Sequence, residues 1–240
     1  MIKFFRNIRQ KLLSENKFSK YLIYAIGEIV LVVIGILIAL QINNLNEYRK
    51  NGQKEKDALI ELFQDIESNN KQLKKINKDE REIVKSIEWI ITEYEQRGTF
   101  PEDSLQVYFG KALIGQRQDF VKTAYSVLLA SDIGLLQNKK LRYDIAEYYE
   151  KEIPYVERDA LDTWNEWYDY ILPIIREVAD DWKWGEYLVP KSMDTIFENQ
   201  ELYSFLKTNK VNHLGVIWSA NRALIESEKL LDHIKPLTKK

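Results

Sequence analysis

The chain has 240 residues, 45% of them hydrophobic, enough to bury one or two cores, so a disordered chain and a small cross-linked scaffold are both excluded. Its 35 Lys and Arg against 37 Asp and Glu leave a net charge of -2, which gives no basic field for nucleic acid. With no cysteine and only His213 and His233, there is no disulfide or thiol nucleophile and almost no material for a zinc or di-iron centre, and no cofactor is expected.

The near-neutral total averages unlike segments. Residues 1–20 carry Lys3, Arg6, Arg9, Lys11, Lys17 and Lys20 against Glu15 alone, a net +5. Ile2, Phe5, Ile8, Leu12 and Leu13 fall near one helical face there. This describes a basic amphipathic segment for the lipid headgroup region, or a tail that only supplies topogenic charge. Behind it, Tyr21–Leu40 contains one charge, Glu28. Twenty helical residues span roughly 30 Å, the thickness of a bilayer's hydrocarbon core. The run is longer than a signal-peptide core and ends in Leu40-Gln41-Ile42-Asn43, without a small-residue cleavage site. An uncleaved transmembrane signal anchor over 21–42 is therefore expected. By the positive-inside rule the N-terminus is cytoplasmic and the remainder periplasmic, in a bacterial inner membrane.

A carboxylate in a membrane helix costs about 3 kcal/mol at the centre and needs protonation or a partner. At 100° per residue, Glu28, Gly35, Ala39 and Asn46 share one helical stripe, with Asn43 beside it. Gly35 and Ala39 form a small-xxx-small pair that lets two backbones approach. The expectation is a helix-pairing face, hence a homo-oligomer. A proton- or ion-coupled oligomeric subunit using Glu28 is the alternative.

From Leu59 the apolar residues step by three and four, through Leu62, Ile66, Leu73, Ile76, Ile83, Ile87 and Ile90 to Tyr94. Asn69 and Glu80 occupy the same seam as register devices or solvent-facing gaps. A long stalk or bundle helix is expected over 43–98, with Asn51-Gly52 as its weakest point and Gly98-Thr99-Phe100-Pro101 as its end. Phe63, Val84, Trp89 and Ile91 widen the apolar face beyond a coiled-coil seam, which favours packing within the chain.

Residues 99–240 read as a helical domain packed on the stalk. Helices are expected near Leu105–Ala112, Phe120–Ala130, Lys139–Glu152, Tyr155–Val178, Asn199–Lys207 and Val211–Ile234. Pro154 and Pro173 punctuate them, Pro190 ends an extended linker and Pro236 closes the last helix. No stretch alternates as a strand should. The fold class is all-α: N-terminal amphipathic segment, single transmembrane helix, long stalk helix and extracytoplasmic helical bundle.

Asp159, Asp162, Glu166 and Asp169 recur at helical spacing and supply oxygen for a cation, but without the Glu-x-x-His pairs of a di-iron bundle they read mainly as a solvated face. Trp164, Trp167, Trp182 and Trp184 crowd the same region as core, or as a platform for glycan or peptide. No phosphate loop, dinucleotide fingerprint, G-x-S-x-G or H-E-x-x-H occurs, so no catalytic residue is assigned.

The block from Phe4 to Glu47 carries a basic F-R-x-I-R-x-x-L start, then Y-A-I-G-E-I-x-L-V-x-x-G-I-x-I-A and an Asn-rich exit. It resembles a membrane-anchored family of unknown function common in Bacteroidota, whose members usually carry Trp where this chain has Leu45. A weaker likeness runs from Ala124 to Tyr148, through Leu128-Leu129-Ala130-Ser131-Asp132. The resemblance implies a single-pass protein with a helical extracytoplasmic domain and implies no activity. The resulting expectation is an interaction or scaffolding module with unidentified periplasmic or membrane partners; a periplasmic metal- or glycan-dependent enzyme is the second alternative.

Overall fold

The computed structural model describes residues 18–238; the basic amphipathic segment, up to residue 17, lies outside them. The chain divides into two units, Met1–Lys54 and Glu55–Lys240. Helix α1 runs from Phe18 to Glu95, unbroken at Asn51-Gly52. One glycine costs only about 1 kcal/mol in a helix, and the flanking Gln, Lys and Glu are good helix formers. Among the described residues α1 is the one helix long and apolar enough to cross a membrane, and none of that apolar window is buried.

The end of α1 is set by a buried acid. Glu93 is 3% exposed, and its carboxylate accepts the N–H groups of Gly98, Thr99 and Phe100 at 2.6, 2.9 and 3.1 Å. Gly98 supplies the positive φ, 82°, that turns the chain around it. Three converging amides offset the repulsion between a carboxylate and a helix C-terminus.

Helix α2, Glu102–Ala112, leads into an extended stretch that α1 holds by side chain. Asn69 donates to the Val121 carbonyl at 2.8 Å and accepts its N–H at 2.9 Å, while Gln72 donates to the Asp119 carbonyl at 3.1 Å. Asp65 then accepts the Ala124 N–H at 2.7 Å, serving as a distant cap for α3, Thr123–Ser131, which lacks a side-chain cap of its own. Asp132 caps a 3-10 turn at Ile133–Leu135, and Asn138 caps α4, Lys139–Glu147.

Two prolines expected to punctuate helices do not interrupt them. A π turn at Tyr148–Glu152 precedes α5, Ile153–Glu166, and a second at Trp167–Ile171 precedes α6, Leu172–Val178. Pro154 and Pro173 each come just after such a turn. Its extra residue and i→i+5 bonding accommodate a residue without an N–H whose ring would otherwise strike the carbonyl four residues back.

The fold is all-α as expected, with one short hairpin that no alternation in the sequence marks. Ala179–Lys183 (β1) and Tyr187–Pro190 (β2) pair antiparallel, Trp182 opposite Leu188, around a turn in which Gly185 has φ 70°. The two strands are too short, and β1 too charged, for alternation to register in the sequence. Helix α2 packs against β2 at Gly110, where a Cβ would collide with the Tyr187 backbone. After α7, Met193–Glu198, the last helix, α8, spans Gln200–Thr238 in one piece. It passes the expected break at Thr208–Lys210 because Asn209 is buried, packing outweighing weak local propensity, and Pro236 falls in its final turn.

Within Glu55–Lys240 the seam of α1 packs in cis. Leu59, Leu62, Ile66, Leu73 and Ile76 join one apolar cluster with α3, α4, the start of α5 and the C-terminal half of α8. Ile83, Ile87 and Ile90 join a second with α2, α6, the hairpin and the start of α8. Cross-links between α1 and α8 pair rising with falling numbers, so the helices are antiparallel: Asn70 donates to Ser227 Oγ at 2.8 Å, Glu80 meets His213, Lys210 lies 3.7 Å from Glu88, and Tyr203 donates to Glu95 at 3.0 Å.

Between the clusters lies a polar layer. Glu80 Oε2 sits 2.6 Å from His213 Nδ1, both side chains at most 2% exposed, and Asn77 and Asn209 are buried about one turn before them on their respective helices. Glu80 is therefore no solvent-facing gap. The Asn77 amide and His213 Nε2 have no hydrogen-bond partner among the described residues. Glu152 Oε1, nearly buried, accepts from Arg222 at 2.6 Å and ties the first π turn to α8. Burial raises the pKa of Tyr94, Tyr148 and Tyr149, and burial beside the Glu150 carboxylate raises that of Tyr125.

Two stability outcomes are expected. Asn69→Leu, which strands both backbone groups of Val121, should lower unfolding stability by about 2 kcal/mol and speed amide exchange over 118–124, read by hydrogen-exchange mass spectrometry. Glu80→Leu and His213→Leu should each cost roughly 3 kcal/mol in urea unfolding, and the double variant far less than their sum. Additive losses would show that the two groups are not coupled.

Candidate functional site

Glu28, Gly35, Ala39, Asn43 and Asn46 all lie on α1 within the unit Met1–Lys54. Gly35, Ala39, Asn43 and Asn46 are exposed and Glu28 half-exposed, and a Cβ added at Gly35 would meet nothing. The described residues thus leave open the strip on which close backbone approach was expected.

The four tryptophans do come together, from two elements that the sequence separates. Trp164 ends α5, Trp167 opens the second π turn, Trp182 is on β1 and Trp184 in the hairpin turn. Ring centroids lie 4.5 Å apart for Trp167 and Trp184, 5.3 Å for Trp164 and Trp167, 5.8 Å for Trp182 and Trp184, and 6.1 Å for Trp167 and Trp182. Trp167 is the buried centre, donating Nε1–H to the Leu113 carbonyl at 3.1 Å. Gly115 is needed for that approach: a Cβ there would meet Trp167 Cβ at 2.8 Å. The Arg117 guanidinium lies 4.9 Å above Trp164. Trp167 is thus a core residue, while Trp184 remains 37% exposed at the tip.

Trp182 Nε1 and Glu166 Oε2 are buried in this neighbourhood without a hydrogen-bond partner among the described residues. On the hairpin, the Tyr187 hydroxyl donates to Asp181 Oδ2 at 3.0 Å, and that bond to a carboxylate raises the tyrosine pKa. Lys183 pairs with Glu186 at 2.8 Å across the turn, which raises the lysine pKa.

Beside the exposed indole lies a cleft of about 270 Å³, lined by Asp79 and Glu82 of α1, Lys111 of α2, Gln116 and Trp184. These residues come from four places in the chain, so no spacing in the sequence could have assembled them. Lys75 pairs with Asp79 at 3.0 Å on its rim.

The acidic series does not converge. Asp159 pairs with Arg158 at 3.0 Å, Asp162 is exposed, Glu166 is half-buried, and Asp169 lies in the π turn that breaks the regular helical period. Among the described residues no group of three acids or histidines is placed to hold a metal ion. His213 belongs to the buried layer and His233 is exposed on α8.

No curated protein and no solved structure matches the chain. Residues 28–172 match a family described as "Family of unknown function (DUF6090)". The match begins within the apolar part of α1 and ends at the first residue of α6, so it takes in Trp164 and Trp167 but not the hairpin. With more than half of its length matched, the chain belongs to the DUF6090 family of unknown function.

Proposed function

We propose that this protein is a single-pass protein of the bacterial inner membrane whose helical unit, Glu55–Lys240, is a periplasmic interaction or scaffolding module, and that copies associate through the Glu28-Gly35-Ala39 stripe. The observation that carries the reading is the apolar window of α1: none of it is buried, unlike a core helix of a soluble fold, and bilayer is the solvent that suits it. The +5 charge of residues 1–20 supports a cytoplasmic N-terminus. In the helical unit the apolar seam of α1 is already covered in cis, and the stripe on the membrane helix, where a Cβ at Gly35 would meet nothing, offers a face for self-association. Small residues there permit the close backbone contact that drives pairing in lipid.

The absence of native cysteine makes single-cysteine chemistry clean. In spheroplasts, Lys229→Cys should react with a membrane-impermeant maleimide and Asn7→Cys should not; the reverse pattern would refute the orientation. In native membranes, Ala39→Cys should form disulfide-linked dimers and Leu37→Cys, about 160° away around the helix, should not. Adding Gly35→Leu should reduce the Ala39→Cys product several-fold. Equal cross-linking at both positions would remove the stripe as an interface.

A further inference from the structure

We propose that the cleft beside Trp184 binds a neutral saccharide. It has the parts such a ligand needs. Trp184 is 37% exposed and is held edge-to-face by Trp167 at 4.5 Å, so an indole surface is offered in a fixed orientation to the C–H face of a sugar ring. Gly185, at φ 70°, makes the turn that presents it. The same cleft is lined by two carboxylates, an amide and an ammonium, Asp79, Glu82, Gln116 and Lys111, groups able together to accept from and donate to several hydroxyls.

Charge argues for the class of ligand. Asp79 and Glu82 are balanced by Lys111 in the lining and by Lys75, which holds Asp79 at 3.0 Å. The cleft therefore has donors and acceptors of both kinds without a surplus of either sign, a poor site for a simple ion and a good one for a polyhydroxylated neutral molecule. At about 270 Å³ the cleft takes one or two sugar rings and leaves the rest of a longer chain outside. The site is built from residues of the helical unit and shares none with the stripe at Glu28, Gly35 and Ala39, so its test is independent of self-association.

The test uses the full chain labelled with 5-fluorotryptophan, in a detergent without sugar headgroups, observed by fluorine NMR. Trp184→Phe identifies the Trp184 resonance and Trp218→Phe that of a control indole on α8. Tetrasaccharides of glucose, mannose, galactose and N-acetylglucosamine are titrated to about 10 mM, a range that captures millimolar affinity. At least one should shift the Trp184 signal saturably and leave Trp218 unmoved, and Gln116→Ala should weaken the apparent affinity at least threefold with unchanged melting. No saturable shift with any of the four overturns the proposal. So does an equal response at Trp218, an affinity unaltered by Gln116→Ala, or the same shift produced by methylammonium or acetate.

Discussion

The helical unit depends on one constraint: the long apolar seam of α1 has to be covered, and α8 covers it while running the opposite way. Two helices with repeating apolar faces could slide past one another by a heptad and lose little contact. The polar residues in the seam forbid that. A slipped register would set Glu80 against an apolar side chain and leave Asn70 without Ser227, and an unpaired buried charge costs several kcal/mol. The same logic places the rest of the fold. Asp65, Asn69 and Gln72 seize the backbone from Asp119 to Ala124, so α3 starts where α1 dictates.

Much of this architecture is legible in the residues. The steps of three and four from Leu59 identify the buried face of α1, and the extra width at Phe63, Val84 and Ile91 correctly signals packing within one chain. The apolar run before it is evident from length alone. Other features are invisible for physical reasons. Glu80 looks like a gap in a heptad because its partner lies 133 residues away. The hairpin is too short for periodicity, and Pro154 and Pro173 look like helix ends because a local pattern cannot show that a π turn precedes each. The tryptophans were recognisable as a group, yet Asp79, Glu82, Lys111 and Gln116 join Trp184 only through tertiary packing.

The family match begins within the apolar part of α1 and takes in its seam and the helices through α5. Across this stretch α1 organises the shorter helices that succeed it. The hairpin and α8 lie beyond that match, although α8 joins both clusters that cover the seam and the hairpin gives Trp184 and Gly185 to the cleft. The matched residues thus include Asp79, Glu82, Lys111 and Gln116 of the cleft, while its exposed indole, Trp184, comes from beyond them.

The polar layer at Glu80 and His213 also bears on how this unit comes apart. It separates two apolar clusters that share only α1 and α8 among the helices, and it contains an amide and a ring nitrogen without hydrogen-bond partners among the described residues. Buried polar side chains take the place of apolar contact there, so the two clusters are coupled less tightly across this layer than within themselves. The tryptophan end can fray or breathe as one foldon while the cluster around Tyr148 stays shut, and the free energy of that partial opening is set by half of the core.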